Sequence, residues 1–350
     1  MSLNLQPDTT SPAAVAERLR SHHRTISLLR EADEMAARLA REGETGLHVS
    51  CVGLEALLSG VERALDPRDW VLPGVRQSSI ALARGAALSA WFGQILGRVS
   101  DPARGRSSPG AGSFRSLRVV SPSAMPGAQI PIATGVARSM QMAARGECAV
   151  AICGEGAVAG GDFHVGLNFA AIWRVPAIFV VANCGDLASQ TGSDGVAIKA
   201  RGYGMPAATV DGGDAAAVEA VMREALERAR SDEGPTLIEA TCPSPERPTP
   251  GARRLHLVGA AEQSWTERDP LRRIEAEIVR RGILDEVDLA DIRSTRSIEV
   301  HAAAEAALRL PAPPPSLLFD DVFAALTPEL RRQRREWLVT RALFEGDEEE

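Results

Sequence analysis

The chain has 350 residues, with 39 Lys+Arg against 46 Asp+Glu for a formal charge of −7, and 45% hydrophobic against 24% charged residues. That length and balance can bury a large core in one or two domains, and the net-negative charge without a basic stripe argues against nucleic acid or an anionic membrane as the main partner. No apolar run reaches the ~18 residues of a membrane helix, and a 4% aromatic content with one tyrosine, Tyr203, argues against base-stacking platforms.

In chain order, residues 1–14 are polar and contain Pro, Thr and Ser, which reads as a loose arm without the basic and apolar blocks of a secretory signal. From about Ala13 to Arg41 the spacing of Val15, Leu19, Ile26, Leu29, Ala32, Met35 and Leu39 predicts a helix. A second helix spans Gly53 to Leu65 and is closed by Asp66-Pro67, and a third spans Ile80 to Leu96. Residues 101–127, dense in Gly, Pro, Ser and Arg, read as a long loop, a length that usually carries function or is disordered. Arg104, Arg106, Arg115 and Arg118 in it read as a solvated set able to meet a phosphate or an acidic partner.

The middle alternates between continuous apolar runs and helices. Strands are expected at 148–153 (CAVAIC), 177–183 (AIFVVAN), 207–210 (ATVD) and 236–241 (TLIEAT), with helices at 161–175 and Asp214 to Arg230. Such alternation predicts an α/β fold, a parallel sheet with helices on both faces. After a proline-rich loop at 243–251, helices are expected from Pro270 to Arg281 and Glu286 to Leu310. A PAPPP spacer at 311–315 and a last helix from Pro328 to Phe344 lead into an acidic tail.

In an open parallel sheet, ligands bind beyond the carboxyl ends of the strands. Two strand ends here carry unusual residues: Gly154-Glu155-Gly156-Ala157 after CAVAIC, and Asn183-Cys184-Gly185-Asp186 after AIFVVAN. The glycines let backbone N–H groups approach a phosphate, and Glu155 can place a carboxylate on a cation. Cys51, Cys148, Cys153, Cys184 and Cys242 are odd in number and scattered, a pattern suited to a reducing cytoplasm. Cys153, Cys184 and Glu155 at adjacent strand ends would make a soft-metal set if a fourth ligand joined them.

The pair GEG (154–156) and Asn183-Cys184 resembles the GDG…NN diphosphate signature of the alpha subunits of thiamine diphosphate-dependent 2-oxo acid dehydrogenases. The resemblance is collinear from about Thr25 to Ala325. It runs through LHVSCVGLEA (47–56), DWVLPGVRQSSIALARG (69–85), GAQIPIATG (127–135) and FHVGLNFAAIWRVPAIFV (163–180), then VDGGD (210–214), EGPTLIEA (233–240) and RDPLRRI (268–274). It implies a thiamine diphosphate-binding fold with an arm at 1–24, an α/β domain at 25–325 and a helical acidic tail at 326–350. It further implies an α₂β₂ heterotetramer with a beta-type subunit, an acyl-accepting lipoyl acyltransferase component, and a site closed between subunits around thiamine diphosphate and Mg²⁺. Arg76, Gly154, Glu155, Gly156, Ala157, Asn183 and Cys184 then fall at cofactor-binding positions, and Glu155, Cys184 and the Asp186 carbonyl at metal positions.

The departures fall on those working positions. Glu155 replaces the family's metal-binding Asp, Cys184 its Asn, and Val75 the Tyr that precedes Arg76. A thiol is a poor ligand for a hard cation. Pro126 removes an N–H from the stretch that meets the aminopyrimidine, and Ser113-Phe114-Arg115 stands where the family has SMH. Gln77-Ser78 replaces an Asp-His pair, and the strand TLIEAT is followed by CPSPERPTPG where a histidine loop is expected. Arg cannot relay protons at neutral pH, so the expectation is a retained fold whose ordinary activity is altered or lost, the alternatives being a catalytically inactive structural or regulatory paralogue of that subunit or the same fold re-used for another anionic ligand. His48 and His164 read as structural.

Overall fold

The computed structural model describes residues 11–185, 187–243, 265–320 and 322–345, with side chains through residue 341. Its centre is a parallel sheet of five strands, β1 (Trp70–Leu72), β2 (Ala149–Gly154), β3 (Ala177–Asn183), β4 (Ala207–Asp211) and β5 (Thr236–Thr241), in the spatial order β1-β2-β3-β5-β4. The expected α/β fold is present. β2, β3 and β5 are apolar along most of their length because both faces of the sheet are covered. Val150, Ile152, Ile178, Val180, Ala182 and Ile238 enter one core, while Ala149, Ala151, Cys153, Ala177, Phe179 and Val181 enter the other.

Helices α1 (Pro12–Glu42), α2 (Glu55–Ala64), α3 (Ile80–Ala83) and α4 (Leu88–Ile95) precede the sheet's interior strands. α5 (Gln129–Met142), α6 (Gly161–Trp173), α7 (Ala200–Tyr203) and α8 (Ala215–Arg230) follow, then α9 (Pro270–Arg280), α10 (Glu286–Leu308) and α11 (Pro328–Glu345). α2 lies so close to α8 that a Cβ on Gly60 would come within 2.6 Å of the Ala215 carbonyl and Val218 Cβ. Gly166 plays the same part between α6 and α5, where a Cβ would meet Ile130 Cγ2 and Pro131 N at 2.7 Å. A third apolar cluster, with Leu19, Ile26, Ile274, Ile278 and Leu289, ties the terminal helices to the domain.

α1 covers the helix read from about Ala13 to Arg41, whereas other elements differ from the pattern read in the sequence. α1 starts at Pro12 on a Ser11 cap and passes residue 24 without a break, because His22, His23 and Ile26 are all buried. Residues 12–24 are therefore helix continuous with the domain. The single helix expected over 80–96 is divided at Gly85, whose φ of +92° belongs to the left-handed region. Arg84 marks that break, donating to the Leu117 carbonyl at 2.8 Å and to Glu62 at 3.0 Å.

β1 and α5 escape the periodicity test altogether. β1 has three residues between Asp69 and Pro73, too few to show a period. α5 carries Pro131 and Gly135, which look like breakers, yet Pro131 sits in the first turn, where its missing N–H costs nothing. The segment 101–127 is hydrogen-bonded rather than loose. Val71 donates to the Arg118 carbonyl and accepts from Val120, so this stretch covers the outer edge of β1. The 243–251 loop lies outside the described residues from 244 on, as do the tail beyond 345 and Asp186.

Candidate functional site

A cleft of about 300 Å³ opens at the carboxyl ends of β2 and β3. Its walls are the turn Gly74–Gln77 after β1, the stretch around Pro126 and Gly127, the turn Gly154–Ala157, and Ala182 and Cys184 at the end of β3. The strand order puts these turns side by side. Cys153 pairs with Val181 and Gly154 with Ala182, so the two unusual strand ends are neighbours in space.

Arg76 is held in a fixed orientation. Its Nε donates to the Ser50 carbonyl at 3.1 Å and Nη2 to the Val52 carbonyl at 3.4 Å, leaving Nη1 on Cys184 Sγ at 3.4 Å. The loop that offers those carbonyls is itself pinned by Asp33. The Asp33 carboxylate is 1% exposed and accepts from Cys51 N at 2.8 Å, Ser50 Oγ at 2.7 Å and His48 Nε2 at 3.0 Å. Burial by itself raises the Asp33 carboxyl, but His48, Ser50 and Cys51 together hold it below its ordinary value. His48 thus acts in the scaffold, as expected. Gly53 N, at the far end of the loop, donates to Glu55, which is ion-paired with Arg30 at 2.6 Å.

The turn after β2 faces open space. A Cβ added at Gly154 or Gly156 would meet nothing within 4 Å, so backbone is exposed to whatever enters the cleft. Glu155 is 5% exposed, and its Oε1 has no hydrogen-bond partner. Gln129, also lining the cleft, donates Nε2 to the Ile152 carbonyl at 2.9 Å and leaves a buried Oε1 unpaired.

Asn183 is turned away from the cleft. Its Nδ2 donates to Glu239 Oε1 at 2.9 Å and its Oδ1 accepts from Gly185 N at 3.1 Å. Glu239 Oε2 in turn accepts from Val196 N and Ala197 N, which anchors the irregular stretch after β3. Burial pushes the Cys184 thiol up, Arg76 pulls it down, and Glu155 adds to the rise, for a net increase. Cys153 is pushed up to about 12 by burial and by Glu155.

The remaining candidates lie elsewhere. His164 bonds the Tyr203 hydroxyl on α7 and packs edge-on to Phe163. Arg118 covers Trp70 at 4.9 Å, and Arg106 donates to the Asp320 carbonyl at 3.0 Å. Asp33 and Glu239 were missed as supporting residues, although both leave a trace in the sequence. Asp33 sits on the apolar stripe of α1 with Leu29 and Ala36, and Glu239 interrupts an otherwise apolar strand. A charge on a buried face marks a specific partner.

A family model for the dehydrogenase E1 component matches residues 23–316. The 2-oxoisovalerate dehydrogenase subunit alpha of Bacillus subtilis (strain 168) is 34% identical over 315 residues, covering 86% of this chain and 94% of the relative. The mitochondrial 2-oxoisovalerate dehydrogenase subunit alpha 1 of Arabidopsis thaliana is 31% identical over 318 residues, covering 88% and 67%. The human mitochondrial alpha subunit is 30% identical over 330 residues, covering 92% and 74%. The chain belongs to the dehydrogenase E1 component family. Within it, the chain is of the alpha-subunit type of the 2-oxo acid dehydrogenases.

That family depends on thiamine diphosphate, and the cleft can be tested against both parts of the group. A diphosphate fits: the Gly154 and Gly156 backbone is open to close approach, and a guanidinium stands in the wall. A magnesium ion does not fit. It requires near-octahedral oxygen ligands, whereas the described side chains offer one free carboxylate oxygen on Glu155, the neutral amide oxygen of Gln129 and, at the second position, a thiol. The sulfur already accepts from Arg76, which sets a positive charge 3.4 Å from the would-be ligand. Among the described residues no three His, Cys, Asp or Glu side chains converge on one point. The soft-metal set of Cys153, Cys184 and Glu155 is accordingly not assembled.

Proposed function

We propose that this chain serves as the alpha-type half of a 2-oxo acid dehydrogenase-like complex and supplies the diphosphate side of a shared cleft to a beta-type subunit. The metal and histidine chemistry usual to that side is replaced, so ordinary decarboxylation is altered or lost. The contact between Arg76 and Cys184 at the end of β3 carries this reading, because it joins the retained phosphate-binding residue to the substituted metal position. Arg76 and the Gly154–Ala157 turn bind and orient the anion in this reading, and Pro126 narrows the opposite wall. No histidine lines the cleft among the described residues, which favours, as a second reading, a structural or regulatory half with no turnover.

Alpha subunits of this family pair with beta subunits, and the surface of this chain supports such a partner. Val165, Phe169 and Ile172 recur at helical spacing on the outer face of α6, Ile132 lies on α5, and each is at least 42% exposed. A helix apolar on both faces implies a second packing partner. The reading places the protein in a reducing compartment such as the cytoplasm, supported by five free thiols, four of them buried. No helix among the described residues is long and apolar enough to cross a membrane.

The test is co-expression with a beta-type subunit from the same source, followed by mass measurement and assay of 2-oxo acid turnover with and without Mg²⁺. The expected product is an α₂β₂ complex whose turnover is absent or altered. Failure to form any complex overturns the partnership, and ordinary Mg²⁺-dependent turnover overturns the replaced chemistry. Ile172→Glu is expected to weaken assembly without changing the melting temperature of the isolated chain.

A further inference from the structure

We propose that the cleft at the ends of β2 and β3 binds a diphosphate-bearing ligand without a divalent cation, the Arg76 guanidinium supplying the positive charge. This rests on the reading of the cleft as a diphosphate half-site and adds how that site is charged.

Arg76 is the cationic side chain in the cleft wall, and its hydrogen bonds go to two carbonyl oxygens and the Cys184 sulfur. Among the described residues no carboxylate stands within ion-pair distance of it. A part-buried guanidinium without a counter-charge is poised for an anion, and its planar fork matches phosphate oxygens. Its seat is rigid, because the Ser50–Val52 carbonyls are locked through Asp33. The charge therefore cannot be withdrawn to make room for a metal without breaking that lock. Cys184 supports the arrangement: its sulfur holds Nη1 at the end of β3 through a long, weak contact of 3.4 Å.

Glu155 separates the two ways of charging the site. It is a buried carboxylate with an unpaired Oε1 on the same cleft. If a divalent cation bridged protein and diphosphate, Glu155 would be its one anionic side-chain ligand among the described residues, beside the neutral Gln129 amide oxygen, and its loss would cost most of the binding. In a metal-free site its charge shares the cleft with the anion and opposes binding, unless the ligand brings an acidic proton or another donor to Oε1. Replacing it with the neutral amide then removes the repulsion and adds a donor.

The experiment is calorimetric titration of inorganic pyrophosphate into the full chain, once in EDTA and once in Mg²⁺, with melting temperatures recorded for each variant. Binding in EDTA is expected within about threefold of that in Mg²⁺. Arg76→Gln is expected to weaken it by about tenfold or more, and Glu155→Gln to tighten it. Binding that requires Mg²⁺, or that disappears in Glu155→Gln, overturns the metal-free site while leaving the diphosphate half-site standing. Absence of binding under both conditions overturns the two together. Unchanged binding by an Arg76→Gln variant with unchanged melting temperature removes Arg76 from the role.

Discussion

Replacing Asp33 with alanine is expected to damage stability and site geometry together. The substitution leaves three donors without an acceptor: the buried Cys51 N–H, the Ser50 hydroxyl and the His48 ring. A buried, unsatisfied backbone N–H costs about 1–3 kcal/mol, while the two part-buried side chains can turn towards water and lose less, giving about 3 kcal/mol in all. At about 2 °C per kcal/mol for a chain of this size, the melting temperature falls by about 6 °C. The effect has a pH signature. The Asp33 carboxyl is lowered in the folded chain, so its contribution is complete above the ordinary Asp value near pH 4 and is lost as pH falls through the lower folded value. Thermal unfolding of wild type and Asp33→Ala, followed by circular dichroism from pH 7 down to pH 3, reads both features. A variant melting within 1 °C of wild type at pH 7, or a difference that persists unchanged in acid, would refute the reasoning.

Gly166→Ala is expected to cost about 1–3 kcal/mol by forcing α6 off α5, and denaturant melts measure it; Gly156→Ala, opening on empty space, should leave stability unchanged and weaken pyrophosphate binding instead. Thiol labelling of the native chain should modify Cys184 first and slowly at neutral pH, since the other four cysteines are buried and its own thiol is raised; simultaneous reaction of all five would contradict the described packing. The stabilising share of Glu219, held down to about 2 against burial by His22, Arg223 and Arg63, is present above the ordinary Glu range and disappears as pH falls towards that value. Glu219→Gln should therefore melt lower than wild type at pH 6 and approach it near pH 2.

The sequence by itself determined the sheet and its helices wherever a segment was long and its period unbroken. AIFVVAN became β3 without a residue's change, and the 3.6-residue spacing from Val15 to Leu39 became α1, because burial on one or two faces writes itself directly into residue order. It also marked the Gly154–Ala157 and Asn183–Cys184 strand ends, since ligands in parallel sheets gather there. Short or interrupted elements were hidden: β1 has too few residues to repeat, and α5 carries its proline in a turn where proline is harmless. Only the tertiary structure decided what the marked residues do. Asn183 and Cys184 are adjacent in the chain, yet β5 draws the Asn183 amide to Glu239 while the turn after β1 brings Arg76 to Cys184. Asp33 reaches the cleft only through a loop 15 to 18 residues away in sequence. Side-chain direction and long-range hydrogen bonds depend on which strands lie side by side, and that is a property of the packed sheet, not of local spacing.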